Sequence, residues 1–176
     1  MKDKVFFSRD EMFKMNVESL KNRGVQIIDI AEIAFRQQSR YNPNITMDTC
    51  TQSVEKILSL RDIFHIVQLG IEIDRLAEEG KLSSPIQDIL KADLGMFGVD
   101  EILGLAIASN YGVIGQTNFG DIDVNKPGIV KTLNEEGSKP NVCHTFLDDI
   151  VGAIAAAAST RVAQIVSENE ANKPYN

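Results

Sequence analysis

His144-Thr145-Phe146-Leu147-Asp148-Asp149, running directly into Ile150-Val151-Gly152-Ala153-Ile154-Ala155-Ala156-Ala157-Ala158, is the stretch that decides the fold. Two adjacent carboxylates stand at the mouth of the most apolar run in the chain. Alanine is the best helix former, and a helix that is apolar all round is a buried one. The pattern predicts a last long helix over 145–168, its body in the core and its acidic end presented for use. Small side chains let helix backbones approach closely, so 152–158 and the similar segment 103–108 are both expected at the centre.

Helical spacing recurs outward from that stretch. Ser8-Arg9-Asp10-Glu11 resembles a capping box, followed by Met12, Met15 and Leu20 up to a stop at Gly24. Ile27, Ile30, Ala31, Ala34 and Phe35 predict a second helix over 27–39, broken by Tyr41-Asn42-Pro43-Asn44. Thr46 caps a third, in which Cys50, Val54, Ile57 and Leu58 share a face. Residues 62–79 form an amphipathic helix ended by Gly80, and its Glu72, Asp74, Glu78 and Glu79 read as a solvated face. Ser84-Pro85, with Gln87 following, starts a short helix that ends near Ala92, with Ser84 as N-cap and Pro85 at the first position.

Asp93 to Gly98 reads as a turn, and Val99 to about Gly115 as a helix in which Gly104 marks close approach. The Gly/Asn-rich segment 115–128 reads as irregular, 127–133 as a short helix, 135–140 as a loop, and 168–176 as a frayed polar tail. There is no sustained strand alternation and no repeat. The fold class is all-α, a multi-helix bundle forming a single domain over 1–176.

Composition bounds the function. The 43% hydrophobic and 24% charged residues are ordinary for a soluble globular chain. A net charge of −7, with 25 acidic against 18 basic residues and no Lys/Arg block, argues against a nucleic-acid partner. Cys50 and Cys143 match no zinc-ligand spacing and read as free thiols of a reducing cytosol. The N-terminus carries no signal-peptide pattern. The longest apolar run, 150–158, falls short of the roughly 20 residues that span a bilayer. A cytoplasmic protein without a transmembrane segment is expected, and its many apolar helix faces predict a homo-oligomer.

Three acidic clusters carry the chemistry: Asp100-Glu101, Asp121 with Asp123, and Asp148-Asp149. Mg²⁺ is a hard cation that takes oxygen ligands, and carboxylates from separate elements suit it. Bound there, it meets phosphate oxygens and neutralises developing charge. The structural account of the same residues is helix capping: Thr145-Phe146-Leu147-Asp148 fits a capping box, and acids stabilise helix N-termini. His144, four residues before Asp148, can share its face, and Lys126 before Pro127 can hold a phosphate. No P-loop, dinucleotide, zincin or nucleophile-elbow motif occurs. Geometry decides between the accounts: convergence of the three clusters within about 6–8 Å makes a cation site.

The spacings Asp93-x-Gly95-x4-Asp100-Glu101-x2-Gly104, Phe119-x3-Asp123-x2-Lys126-Pro127 and Asp148-Asp149-Ile150-Val151 resemble phosphatidylglycerophosphatase A. Over residues 10–165 the chain is similar to the soluble YutG/LtrC-like branch of that family found in Firmicutes. The resemblance implies an all-helical, Mg²⁺-dependent phosphatase that converts phosphatidylglycerophosphate to phosphatidylglycerol. It implies metal ligands Asp93, Asp100, Glu101, Asp123, Asp148 and Asp149, with Asp100, Glu101, Asp148 and Asp149 catalytic and Lys126 contacting phosphate; His144 is a further candidate on the substrate side. Family phosphatases are integral membrane proteins, so a chain without a spanning segment is expected to reach a phospholipid peripherally, at the inner face of the membrane. Its other expected partner is a phosphorylated small molecule. A non-enzymatic oligomeric protein that keeps the acidic cation site is the alternative.

Overall fold

Local capping signals start the first helices where the sequence puts them. In the computed structural model, which describes residues 6–94 and 98–171, Ser8 and Glu11 form a reciprocal capping box at α1 (Arg9–Asn22). Asp29 reaches back to the Gln26 N–H at α2 (Ile27–Gln38), and the Thr46 hydroxyl accepts from the Thr49 N–H at α3 (Met47–Leu58). There follow α4 (Arg61–Glu78), α5 (Ile86–Lys91), α6 (Val99–Ala108), a 3-10 turn at Ser109–Tyr111, α7 (Gly112–Asn125), α8 (Ile129–Gly137) and α9 (Leu147–Ala171). No strand occurs among the described residues, and the fold is an all-α single-domain bundle.

The last helix is the axis. Phe146, Leu147, Ile150, Val151, Ile154 and Val162 are buried together with the whole alanine run, and α2, α3, α4, α6, α7 and α8 pack around them. Each fully buried large aliphatic side chain contributes about 1.5–3 kcal/mol. Polar groups that enter this core are paired: Ser53 Oγ donates to the Ala158 carbonyl, Gln38 Nε2 to Ser159 Oγ, and Asn118 Nδ2 to Thr160 Oγ1. By length and composition α9 is the one helix among the described residues that would cross a membrane, but two-thirds of its apolar window is buried inside the protein. Cys50 and Cys143 are free and buried.

Several elements differ from the sequence expectation. Residues 115–125 are helical, although Gly and Asn are poor helix formers. Tertiary contact holds α7 there: a Cβ on Gly115 would collide with the Ala108 carbonyl, so the glycine lets α7 fold back against the end of α6. Segment 103–108 is only half central, because Gly104, Ile107 and Ala108 are buried while Leu105 and Ala106 face outward. Pro85, not Ser84, is the N-cap of α5, and Ser84 Oγ donates to Asp88 instead of accepting a backbone N–H. The α8 helix begins at Ile129 and runs through to Gly137, taking in part of the expected loop. The polar end continues α9 to Ala171; the rest of the expected frayed tail lies outside the described residues, as does the middle of the 93–98 turn with Gly95.

Candidate metal centre

The last helix begins with its backbone donors already satisfied. Asp74 of α4, fully buried, accepts from the Phe146 N–H (3.1 Å) and the Leu147 N–H (2.9 Å). Its carboxylate also receives the Cys143 thiol. The Asp148 N–H goes to the His144 carbonyl and the Asp149 N–H to Asp148 Oδ1. The solvated-face expectation for Asp74 is therefore overturned. It lies on the buried stripe Ile63, Val67, Gly70, Asp74, Ala77, and that helical spacing was a signal available in the sequence. Burial pushes Asp74 up to about 8, against the pull of the two backbone N–H groups. Glu78 is likewise part-buried, pairing with the two terminal guanidinium nitrogens of Arg23 and accepting from the Cys143 N–H. Thr145 is no capping-box residue: its one hydroxyl proton is shared between the Leu90 carbonyl and Asp93 Oδ1.

With Asp74 and Asp148 Oδ1 serving the N–H groups of the helix end, Asp149 is left for other work. Asp100 and Glu101 sit in the first turn of α6, which Gly98 opens in a left-handed conformation (φ 82°). Asp148 and Asp149 sit in the first turn of α9. Gly104 brings the two helices together: a Cβ there would stand 2.6 Å from Phe119 Cζ and 3.2 Å from the Asp149 carbonyl oxygen. Carboxylate oxygens of Asp100, Glu101 and Asp149 consequently lie within 4.8 Å of one another. Asp100 Oδ1 and Glu101 Oε2 are buried, yet neither receives a hydrogen bond. A buried carboxylate oxygen without a donor is costly, and an oxygen-seeking cation removes that cost.

The electrostatics agree. Burial, then the facing Glu101 carboxyl, pushes Asp100 up to about 7. Burial, then Asp148, pushes Asp149 up to about 9, and Lys126 only partly offsets this. Asp148 is also raised, by burial first, with Lys126 opposing and Asp93 adding to the rise. Two helix N-termini aimed at the cluster ease the repulsion. The donor set is all oxygen, contributed by two rigid helices, and it fits a hard divalent cation.

Lys126 reaches this centre from the C-terminal end of α7. Its Nζ lies 2.8 Å from Asp123 Oδ1, 3.0 Å from Asp148 Oδ2 and 3.7 Å from Asp149 Oδ1. Burial disfavours the ammonium, but Asp148, Asp123 and Asp149 outweigh it and its pKa rises. Asp93 stands at the edge, in a left-handed conformation (φ 45°), beside a cavity of about 350 Å³ that Lys91, Lys139 and Cys143 also line. The structure thus brings together Asp100, Glu101 and Asp149, links Asp123 and Asp148 to them through Lys126, and leaves Asp93 peripheral. His144 stands apart: its Nδ1 meets the Leu133 carbonyl at 3.0 Å, its Cβ and backbone pack close to Gly137, and burial lowers its pKa.

Carboxylates from the first turns of two helices thus converge in one place of a helical bundle, where a metal ion could be held. Residues 31–164 match the family described as phosphatidylglycerophosphatase A, and the chain belongs to that family. It is 49% identical to the uncharacterized protein YutG of Bacillus subtilis (strain 168) over 151 residues, which are 86% of this chain and 90% of that one. Among solved structures, the low temperature requirement C protein from Listeria monocytogenes is similar at 47% identity and a TM-score of 0.85, covering 89% of this chain and 97% of that one. The protein ypjQ from Bacillus subtilis is similar at 44% identity and a TM-score of 0.87, covering 93% and 99%.

Proposed function

We propose that this chain is a Mg²⁺-dependent phosphomonoester hydrolase that acts on phosphatidylglycerophosphate. The observation that carries this reading is the pair of buried, donorless oxygens on Asp100 and Glu101 beside Asp149. Family membership supports the reaction class. Asp100, Glu101 and Asp149 would hold the cation, which would supply the positive charge that offsets charge developing on the phosphate. Lys126 donates to a phosphate oxygen, and Asp148 and Asp123 fix its ammonium in place. One water is consumed: the ester P–O bond breaks with its electron pair staying on the alcohol oxygen, which takes a proton, while the hydroxyl joins phosphorus.

A lipid substrate is favoured by what borders the carboxylates. Val99 and Ile102, immediately flanking Asp100 and Glu101 in the sequence, are 46% and 64% exposed. Apolar side chains next to a charged centre suit an amphiphile with a phosphate head. With α9 committed to the core, the chain meets its lipid peripherally, at the inner face of the membrane.

The test is phosphate release from phosphatidylglycerophosphate in mixed micelles and from a panel of soluble esters, with Mg²⁺ or EDTA, for wild type and Glu101→Gln. Mg²⁺-dependent release from the lipid, lost in Glu101→Gln, is expected. Release from a soluble ester alone would replace the substrate and keep the chemistry. If EDTA lowers the melting temperature while no substrate is turned over, the cation is structural and the enzymatic reading falls.

A further inference from the structure

We propose that the centre takes one divalent cation rather than two, because the Lys126 ammonium is built into the place a second cation would occupy. This rests on the cation reading of the Asp100–Glu101–Asp149 cluster given above. The carboxylates around the centre divide into two sets that share one member. Asp100, Glu101 and Asp149 form the first, with ligand atoms within 4.8 Å and two oxygens that no protein donor reaches. Asp123, Asp148 and Asp149 form the second, gathered around Nζ at 2.8, 3.0 and 3.7 Å. In two-cation phosphoryl centres the ions stand about 3.5–4 Å apart and clamp the phosphate between them. Here the shared carboxylate is Asp149, one set is short of positive charge, and the other is already filled.

The filling is a feature of the backbone as well as of the side chain. Lys126 is the C-cap of α7, in a left-handed conformation (φ 41°) that a non-glycine residue adopts at a cost, and Pro127 follows it. That turn brings the ammonium back onto Asp123, three residues earlier, and across to Asp148 on α9. An ammonium has three N–H donors. Hydrogen bonds to Asp123 and Asp148 use two, and Asp149 lies beyond hydrogen-bond reach, so the third is left for a phosphate oxygen. Lys126 therefore supplies what a second metal would supply, positive charge and a phosphate contact, at a position that does not depend on cation concentration.

The count of bound cations tests this directly. The full chain is titrated with Mn²⁺, free ion being read by electron paramagnetic resonance, and with Mg²⁺ by calorimetry, for wild type, Lys126→Arg and Lys126→Asn. Asparagine tolerates the left-handed conformation but carries no charge. One equivalent is expected for wild type and Lys126→Arg, and two for Lys126→Asn. Anomalous scattering from Mn²⁺ in wild-type crystals is expected to place the ion against Asp100, Glu101 and Asp149. Two equivalents in wild type would overturn the proposal while leaving the cation reading intact, and so would a folded Lys126→Asn variant that still binds one. No binding by wild type would overturn the cation reading and this proposal with it. The wild-type count stays decisive even if a variant fails to fold.

Discussion

Asp74 and Asp149 are both carboxylates buried against the start of α9, and they serve opposite ends. Asp74 accepts from the Phe146 and Leu147 N–H groups and from the Cys143 thiol, so its oxygens are occupied by the helix terminus. Asp149 faces Asp100 and Glu101, two of whose oxygens have no donor, and sees Lys126 only at 3.7 Å. Burial is the same in both places; the partners differ. Accounting for every donor and acceptor is what separates an acid that builds the fold from an acid that waits for a ligand.

That contrast is sharpest under substitution. Asp149→Asn is expected to reduce Mg²⁺-dependent phosphate release by roughly 100-fold or more, the scale on which cation-borne charge stabilisation acts. It should leave the metal-free melting temperature unchanged or higher, because the cost of burying that carboxyl, met by desolvating or protonating it, is removed. Asp74→Ala should do the reverse, costing about 2–4 kcal/mol in denaturant titrations for the lost cap and the orphaned N–H groups. Equal stability losses from the two substitutions would erase the distinction. Gly104→Ala tests the join between the regions. Its methyl would press on Phe119 and on the Asp149 carbonyl, costing about 1–3 kcal/mol. The same displacement should weaken cation binding in calorimetry.

The smallest effect expected is one of pH. Asp100 and Asp149 sit near 7 and 9 in the folded, cation-free protein, well above an ordinary aspartate at 3.8. The folded state therefore binds more protons than the unfolded one, and these two groups make cation-free stability fall as pH rises from about 4 towards 9. Cation binding must expel those protons, so Mg²⁺ affinity should rise by at least about tenfold between pH 6 and pH 8, with proton release visible in buffers of different ionisation enthalpy. Affinity that is flat across that range would show the carboxylates to be ionised before the cation arrives.

How far the sequence reaches follows the same division. Helices with their own caps and stripes, such as α1 with Ser8 and Glu11 or α3 with Thr46, are legible because every signal is local. Gly104 and the apolar body of α9 are legible for the same reason. Helix α7 is not, since Gly112, Gly115 and Gly120 lower its propensity and contacts from other elements, chiefly α9, hold it. The cap of α9 is not either. Thr145 fits the capping pattern, but the acceptor comes from Asp74, 72 residues before Phe146. The convergence of Asp100, Glu101 and Asp149 depends on two helices meeting, which order and spacing suggest but do not measure. His144 shows the limit of reading a shared face from spacing alone, because the chain before Leu147 is not yet helical.

One helix fills the core with its alanines and, at its first turn, carries a carboxylate of the acidic centre. Stability and chemistry are in that sense written on one lever. A replacement deep in the interior, such as Ala156→Val, lies about two turns from Asp149 and touches no part of the centre, yet any tilt it forces on the axis arrives at the carboxylates. Selection for a tighter interior would thus act on the acidic centre through the same rod, and variants bred for heat resistance on this face should drift in cation affinity together.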